Sequence, residues 1–380
     1  MPLRRLTWTA YLLMACQGYL IYSVGYITPY LQSELGTPPW VAAMPSASLA
    51  IGMLMSGFIV NLVVRRIGVG AAIRLWIVLM AAAAILMSTA ISIWPILAGA
   101  FLFGISTAGT LVYAITTLGH RSNGVYLMRA VVWSVVGGFV GPIAISTAAR
   151  SIGWNFGPLL AVPLLVCLVA ATPSPAVHAD AAAPHMRESG LGRSYWLAWA
   201  YLALGIAAEF SFVSWGAQVA VARTGMELAD ATALASLFVV GEVLGRLALS
   251  AGPGARADAQ TVLRVGTIVA LVGGGLLWVA GMPVLVGAAM LLGGLGMAAH
   301  YPLTARLAVA HAQGAPVKAS ARLTAASGMA IGMAPLLLGV VAGAAGVISA
   351  WGLLMAMLAA ALVVLWVIPR PAAQRSPVGA

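Results

Sequence analysis

Apolar runs of about 20 residues, the length a helix needs to cross about 30 Å of hydrocarbon, follow one another along almost the whole chain. Arginines, Gly-Pro clusters or Asn/Ser turns end each run. Dividing the sequence there gives twelve segments, near 7–32, 39–63, 70–90, 93–117, 125–148, 153–171, 195–220, 228–250, 261–280, 282–307, 320–343 and 347–369. In lipid every backbone polar group has to be satisfied within its own segment, so helices are the form such runs take. With 62% hydrophobic residues, 7% charged ones and a mean hydropathy of +1.02, the chain lies far outside soluble globular composition. The expected fold class is an all-α membrane protein of twelve transmembrane helices.

The formal charge of +11 comes almost wholly from arginine, Lys318 being the only lysine. These charges stand in ones and twos between apolar runs, which is a topology signal and excludes a nucleic-acid surface. Only Arg150 and Arg223 fall in loops opposite to those holding the rest, so both termini are expected in the cytoplasm and the protein in the plasma (inner) membrane. The N-terminal apolar run is long enough for a span and has no small-residue cleavage site, and is read as a retained first helix rather than a signal peptide. Trp8, Trp40, Trp94, Trp154, Trp196, Trp278, Trp351 and Trp366 lie near segment ends, as an interfacial aromatic belt would place them. Cys16 and Cys167 fall within spans and read as buried free thiols. No phosphate-binding GxxxxGK[ST] loop and no HExxH motif is present, so no cofactor is expected and energy should come from an ion gradient. His178, Asp180, His185 and Glu188 share a polar stretch without ligand spacing, and a metal site is not expected there. Ser106 and His300 suggest a membrane protease, but no acid orients the pair.

The stretch 172–194, rich in Pro, Ala and charge, reads as a cytoplasmic linker between a half at 1–171 and a half at 195–380. The two halves echo each other. "ASL" at 47–49 recurs at 235–237, each eight residues before a glycine, Gly57 and Gly245; "AYLLMAC" at 10–16 matches "AYLALGI" at 200–206; Arg129 and Pro142 match Arg322 and Pro335. Such a parallel repeat builds transporters whose solute site lies between the halves.

On these features, and on the loop "GFIVNLVVRRIGVGAAIRL" after the second segment, the chain resembles the major facilitator superfamily over essentially its whole length. Gly57, Arg66, Gly68 and Arg74 fit that family's loop signature, while Arg65 stands where the family has Asp. "GEVLGRLAL", with Gly245 and Arg246, and "GGLGMAAHYPL" carry the likeness into the second half. Gly137, Gly141 and Pro142 match part of a glycine-rich motif of exporter-type members, although Ile145 and Ser146 replace its last two glycines. A close contact between helices with a proline bend explains the same residues and is preferred. The resemblance implies two six-helix bundles rocking about a midplane cavity, a non-enzymatic role, and gating or structural roles for these glycines, Pro142, Arg66 and Arg246.

Glu209 lies in the middle of segment seven and Glu242 deep in segment eight. A carboxylate in lipid costs about 2.5–3.5 kcal/mol by insertion scales. Burial penalises its charged form, so such a group can load and release a proton near neutrality. Glu242 and Arg246, at i and i+4, share a helix face and can form a structural ion pair; Glu209 has no such neighbour. His300 is a proton-relay candidate, with a simple hydrogen bond to a backbone carbonyl as the alternative, and Pro302 should open a bend beside it. Tyr19, Tyr22, Tyr26 and Tyr30 form a stripe on the first helix. The family resemblance makes this stripe a cavity wall and adds Tyr113, Trp215 and Tyr301, while Trp215 projects from a different side of its helix than Glu209. The resemblance also implies that Arg129, like Arg322, lies at the cytoplasmic surface, where it neutralises helix ends or lipid phosphates.

The reading from sequence is a monomeric secondary transporter whose partners are a small-molecule solute, protons and membrane lipids. Proton antiport exporting a small organic or amphipathic solute is expected first, and proton symport importing a sugar-like solute second.

Overall fold

The computed structural model describes residues 2–89, 92–118, 125–172, 190–250, 258–312 and 315–370. Among them there are sixteen helices and no strand. A first set comprises α1 (Pro2–Tyr26), α2 (Thr28–Leu35), α3 (Pro39–Ala42), α4 (Met44–Ile67), α5 (Val69–Met87), α6 (Ile93–Leu118), α7 (Val125–Ser151), α8 (Phe156–Leu159) and α9 (Val162–Ala171). A second set comprises α10 (Arg193–Thr224), α11 (Leu228–Ser250), α12 (Ala259–Val279), α13 (Pro283–Met297), α14 (His300–Ala310), α15 (Pro316–Ala345) and α16 (Val347–Val367). Most of the linker expected at 172–194, with His178, Asp180, His185 and Glu188, lies outside the described residues.

Ten of the described helical stretches are long and apolar enough to cross a membrane. An eleventh is the pair Thr7–Tyr26 and Thr28–Leu35, bent by 44°. Pro29, in the first turn of α2, lacks an N–H and cannot continue the α1 ladder, which locates the bend. The sixth expected segment departs from the expectation. Phe156–Ala171 is shorter than a full span and breaks between α8 and α9, where Pro163, in the first turn of α9, has no N–H to carry the ladder across. The tenth segment is also interrupted, at Ala298 and Ala299, just before Pro302, as the sequence predicted.

The two sets pair their helices alike. α1 packs on α7 and α4 on α6; correspondingly α10 packs on α15 and α11 on α13. The α1–α7 contact is close because both helices offer glycine: a Cβ at Gly18 would stand 1.7 Å from the Ser134 carbonyl oxygen, and one at Gly137 1.9 Å from that of Ala15. Gly141 faces Tyr19 and Ser23 in the same seam. The glycine-rich stretch therefore works as a helix contact. Gly68 joins α4 directly to α5 at φ +79°, a left-handed conformation that a side chain would strain.

Between the sets, α7 meets α11, α4 and α3 meet α15, and α1 meets α10. These contacts concentrate at one end. Arg150 pairs with Asp230 there. Ser146 donates to the Ala229 carbonyl at 2.8 Å, and the Tyr30 hydroxyl to Thr232 at 3.1 Å. Along α15 the seam with α3 and α4 loosens towards the arginine-rich end. A Cβ at Gly339 would lie 2.8 Å from Trp40 and one at Gly332 2.6 Å from Ala50, but one at Gly328 only reaches Leu54 at 3.8 Å.

Two expectations about single residues are corrected. Trp154 and Trp351 do not belong to an interfacial belt: both are fully buried, their indole N–H groups donating to Glu34 (2.7 Å) and to the Gly274 carbonyl (2.9 Å). A buried indole needs such an acceptor, and the core supplies one. Cys16 is buried, but Cys167 is exposed on the outer face of α9.

Candidate functional site

Glu209 sits midway along α10, flanked by buried residues, and is 9% exposed. Glu242, on α11, is wholly buried. The two acids converge on one side chain of the first set. The Tyr22 hydroxyl donates to Glu242 Oε2 at 2.7 Å and stands 3.2 Å from Glu209 Oε1. Arg246, one turn along α11, completes the cluster by donating from Nη2 to Glu242 Oε1 at 3.1 Å. Its Nε donates to the Ala298 carbonyl at 3.2 Å. That carbonyl is available because the helix breaks between α13 and α14, so the bend ahead of Pro302 serves the arginine.

Two carboxylates stand near one guanidinium, and of the two it hydrogen-bonds, among the described residues, to Glu242 alone. Glu242 takes that cation and most of the Tyr22 donor strength. Glu209 is left with the longer contact and, among the described residues, no hydrogen-bonded cation. A buried pair such as Glu242–Arg246 repays its desolvation only with good geometry and further hydrogen bonds. Tyr22 and the Ala298 carbonyl supply these. Arg246 Nη1 is buried without a partner among the described residues, and so remains available to a bound group.

The other expected residues are distributed around this cluster. Tyr26 and Tyr30 continue the Tyr22 stripe across the seam, donating to the Ala235 carbonyl (3.1 Å) and to Thr232. Tyr19 leaves the stripe and donates to the Gly157 carbonyl within its own set. Trp215 faces α15, donating to the Pro335 carbonyl at 3.1 Å, and projects from a different side of α10 than Glu209. His300 is buried over Gly205, one helical turn from Glu209. Its ring lies 4.6 Å from that of Tyr201 and its Nε2 3.4 Å from the Leu202 carbonyl, the backbone alternative raised from sequence. Tyr113 is buried on α6, and Tyr301 is half-exposed at the start of α14. Gly245 abuts Ala298, where a Cβ would come within 2.5 Å, whereas Gly57 has nothing within 4 Å. Arg66 is exposed at the end of α4. Arg129 is exposed too, over the Tyr126 ring at 5.7 Å.

Sequence reasoning missed two features. Arg150 with Asp230 joins the sets, but each looks like an ordinary loop charge until the two ends are brought together. Thr110, which donates to Gln17 at 2.6 Å, gives α6 and α1 a shared polar contact; polar residues within apolar segments were the available signal.

No family model and no curated protein sequence matches the chain. Solved structures do. A mutant form of the nucleoside transporter NupG superposes with a TM-score of 0.76 at 12% identity, covering 97% of this chain and all of NupG. A bacterial homolog of the human lysosomal transporter Spinster, in an inward-facing and unoccupied conformation, gives 0.72 at 13% identity, covering 97% of this chain and 95% of the other. The chain thus has the all-α fold of these membrane transporters.

Proposed function

We propose that this chain is a secondary transporter of the major facilitator type, with halves at 1–171 and 195–380, which couples movement of a small polar solute to a proton carried by Glu209. Its arginine-rich end and both termini face the cytoplasm, so the arrangement described is closed outside and loosened inside. One observation carries this reading: Tyr22, on one set of helices, touches both buried acids of the other. A phenol has one proton to give. With Glu242 accepting it, the Glu209 contact is satisfied when Glu209 is protonated and donates to the phenol oxygen. When Glu209 is ionised, two anions compete for one donor and one guanidinium. Loading the proton therefore favours this seam, and losing it favours its rearrangement.

Two observations support import over the export expected first from sequence. The glycine-rich stretch that pointed to exporters is accounted for by α1–α7 packing. Neutral hydrogen-bonding groups recur on the central helices: Gln17 with Thr110, and the buried Ser214 Oγ and Gln218 Oε1, which have no partner among the described residues. Such groups suit a hydroxyl-bearing solute, as does the fold shared with a protein named as a nucleoside transporter. A proton symporter importing a sugar- or nucleoside-like solute is the resulting reading.

Proteoliposomes loaded at defined pH test it. Uptake of a panel of sugars and nucleosides should alkalinise the outside, and Glu209→Gln should abolish proton-driven accumulation while leaving exchange at equal concentrations measurable. Substrate-dependent proton release from everted vesicles would instead establish antiport. Unchanged proton-driven transport by Glu209→Gln would remove the role assigned to that carboxyl.

A further inference from the structure

Away from the arginine-rich end, the seam between the sets has two unlike sides. α1 and α10 cross it running in the same direction: Tyr22 meets Glu209, and one turn on a Cβ at Gly25 would lie 3.0 Å from Ser214 Oγ. Continuing that register brings α2 alongside the last turns of α10, and the two helices pack together. On one side of the seam Tyr26 and Tyr30 are satisfied, by the Ala235 carbonyl and by Thr232. Thr28 and Gln32 stand two residues either side of Tyr30 in α2, about 200° around the helix from it, and so occupy the other side.

That other side is polar and unmet. Thr28 with Gln32 on α2, and Ser214 with Gln218 on α10, are each a pair at i and i+4 sharing a helix face. Thr28 is wholly buried, Ser214 is 1% exposed, and the two glutamines are half-buried. Thr28 Oγ1, Gln32 Nε2, Ser214 Oγ and Gln218 Oε1 are each buried without a hydrogen-bond partner among the described residues. Burying a polar atom unmet is costly, so four in one stretch of seam, two from each set, need a physical account. Their chemistry narrows it. Gln32 Nε2 only donates, Gln218 Oε1 only accepts, the two hydroxyls do either, and none of the four ionises. A charged solute finds no counter-charge among them, whereas neighbouring hydroxyls, each able to donate and to accept, match all four.

We propose that Thr28, Gln32, Ser214 and Gln218 form an outer binding subsite, about 8 to 14 Å further along α10 than Glu209, which takes a neutral solute bearing neighbouring hydroxyls when the outer seam parts. The proposal rests on the transport reading, in which that seam opens. It adds a second station ahead of the acid cluster: the solute supplies the partners that these four atoms lack while the seam is closed, and the tyrosine side supplies the closure.

The test uses the full chain in right-side-out vesicles, with Ala217→Cys as a reporter beside the subsite and, in a second protein, Ala235→Cys as a reporter on the tyrosine side; both alanines are buried while the seam is closed. A membrane-impermeant thiol reagent is applied with uridine, with glucose, or with dideoxyuridine, which lacks the neighbouring ribose hydroxyls, and modification is read at the introduced cysteine by peptide mass spectrometry. Uridine or glucose should slow labelling of Ala217→Cys, and dideoxyuridine should not. Labelling of Ala235→Cys should not slow, because a solute in the subsite holds the seam parted, whereas closure over a solute deeper in the protein slows both. Adding Ser214→Ala to Ala217→Cys should raise the half-protecting concentration about five-fold, the effect of one neutral hydrogen bond; Thr28→Val replaces it if that protein does not fold. Four results would overturn the subsite and leave the transport reading standing: labelling with no protection by uridine or glucose, equal protection by dideoxyuridine, equal slowing at both cysteines, or protection unchanged by the substitution. No labelling of either cysteine would mean that the seam does not part, and would overturn both.

Discussion

The Tyr22 hydroxyl lies 2.7 Å from the Glu242 carboxylate, so helices from the two sets meet at a buried acid where an apolar seam would have been cheaper. A hydrogen bond to a charged group contributes about 1.5–3 kcal/mol. Tyr22→Phe removes it together with the contact to Glu209. Under the proposed proton symport, uptake should fall by at least about tenfold, with the tenfold step equal to about 1.4 kcal/mol, and the purified protein should keep its helical circular dichroism. Uptake at wild-type rate would mean that the bridge is only packing.

Arg246 should be needed for stability as well as for the coupling at Tyr22. Arg246→Gln leaves the Glu242 carboxyl buried without its cation, a change that costs about 3–5 kcal/mol. Adding Glu242→Gln should recover most of that loss, because the orphaned charge disappears with its partner. Melting temperatures of the two single variants and the double variant, read as a cycle, measure the coupling; simple additivity would contradict the pairing.

The bridge from Arg150 to Asp230 has both side chains about half exposed, so it is worth at most about 1 kcal/mol. That is enough to shift a two-state equilibrium about fivefold. Asp230→Asn should increase labelling of Ala235→Cys by a membrane-impermeant thiol reagent, and high salt should do the same to the parent. The charge swap Arg150→Asp with Asp230→Arg should restore protection.

Glycines in the loop signature and in the helix seam should part company. Gly137→Val drives a side chain into the Ala15 carbonyl and should abolish stable expression. Gly57→Ala meets open space and should be neutral or stabilising by up to about 1 kcal/mol, the helix-propensity difference. A stable Gly57→Ala protein that no longer transports would assign that position to gating.

Asp258 caps α12 by accepting from the Thr261 N–H at 3.0 Å, which holds its carboxyl below the usual carboxylate range, with Thr261 and nearby arginines assisting. Its folded pKa is depressed, so the stabilisation is complete above the ordinary Asp pKa of about 3.9 and is lost as pH falls through the folded value. The side chain is exposed and its effect small. Asp258→Ala should lower the melting temperature slightly at pH 7, and the difference from the parent should shrink towards pH 3.

Much of the site was legible residue by residue. Glu209 and Glu242 stood out because a carboxylate in an apolar run is costly, and the Glu242–Arg246 pair followed from helical spacing alone. Tyr22 was legible only as one of four tyrosines in a stripe. Which of them reaches an acid depends on how α1 leans across the seam, and the bend at Pro29 and the glycine contact with α7 fix that lean. Trp154 and Trp351 misled for a related reason. Position near the end of a segment suggests an interface, but burial is decided by what packs over that end.

The sequence by itself determined that this chain is a succession of membrane-length helices, because apolar length and backbone satisfaction are properties of each segment alone. It also determined which ionisable groups would be expensive. Only the tertiary structure decided how that expense is shared, with Arg246 hydrogen-bonding to Glu242, Tyr22 bridging both acids, and Glu209 left without a hydrogen-bonded cation among the described residues. Partnership between residues about 190–220 positions apart depends on the crossing of helices from opposite sets, and no local periodicity encodes it.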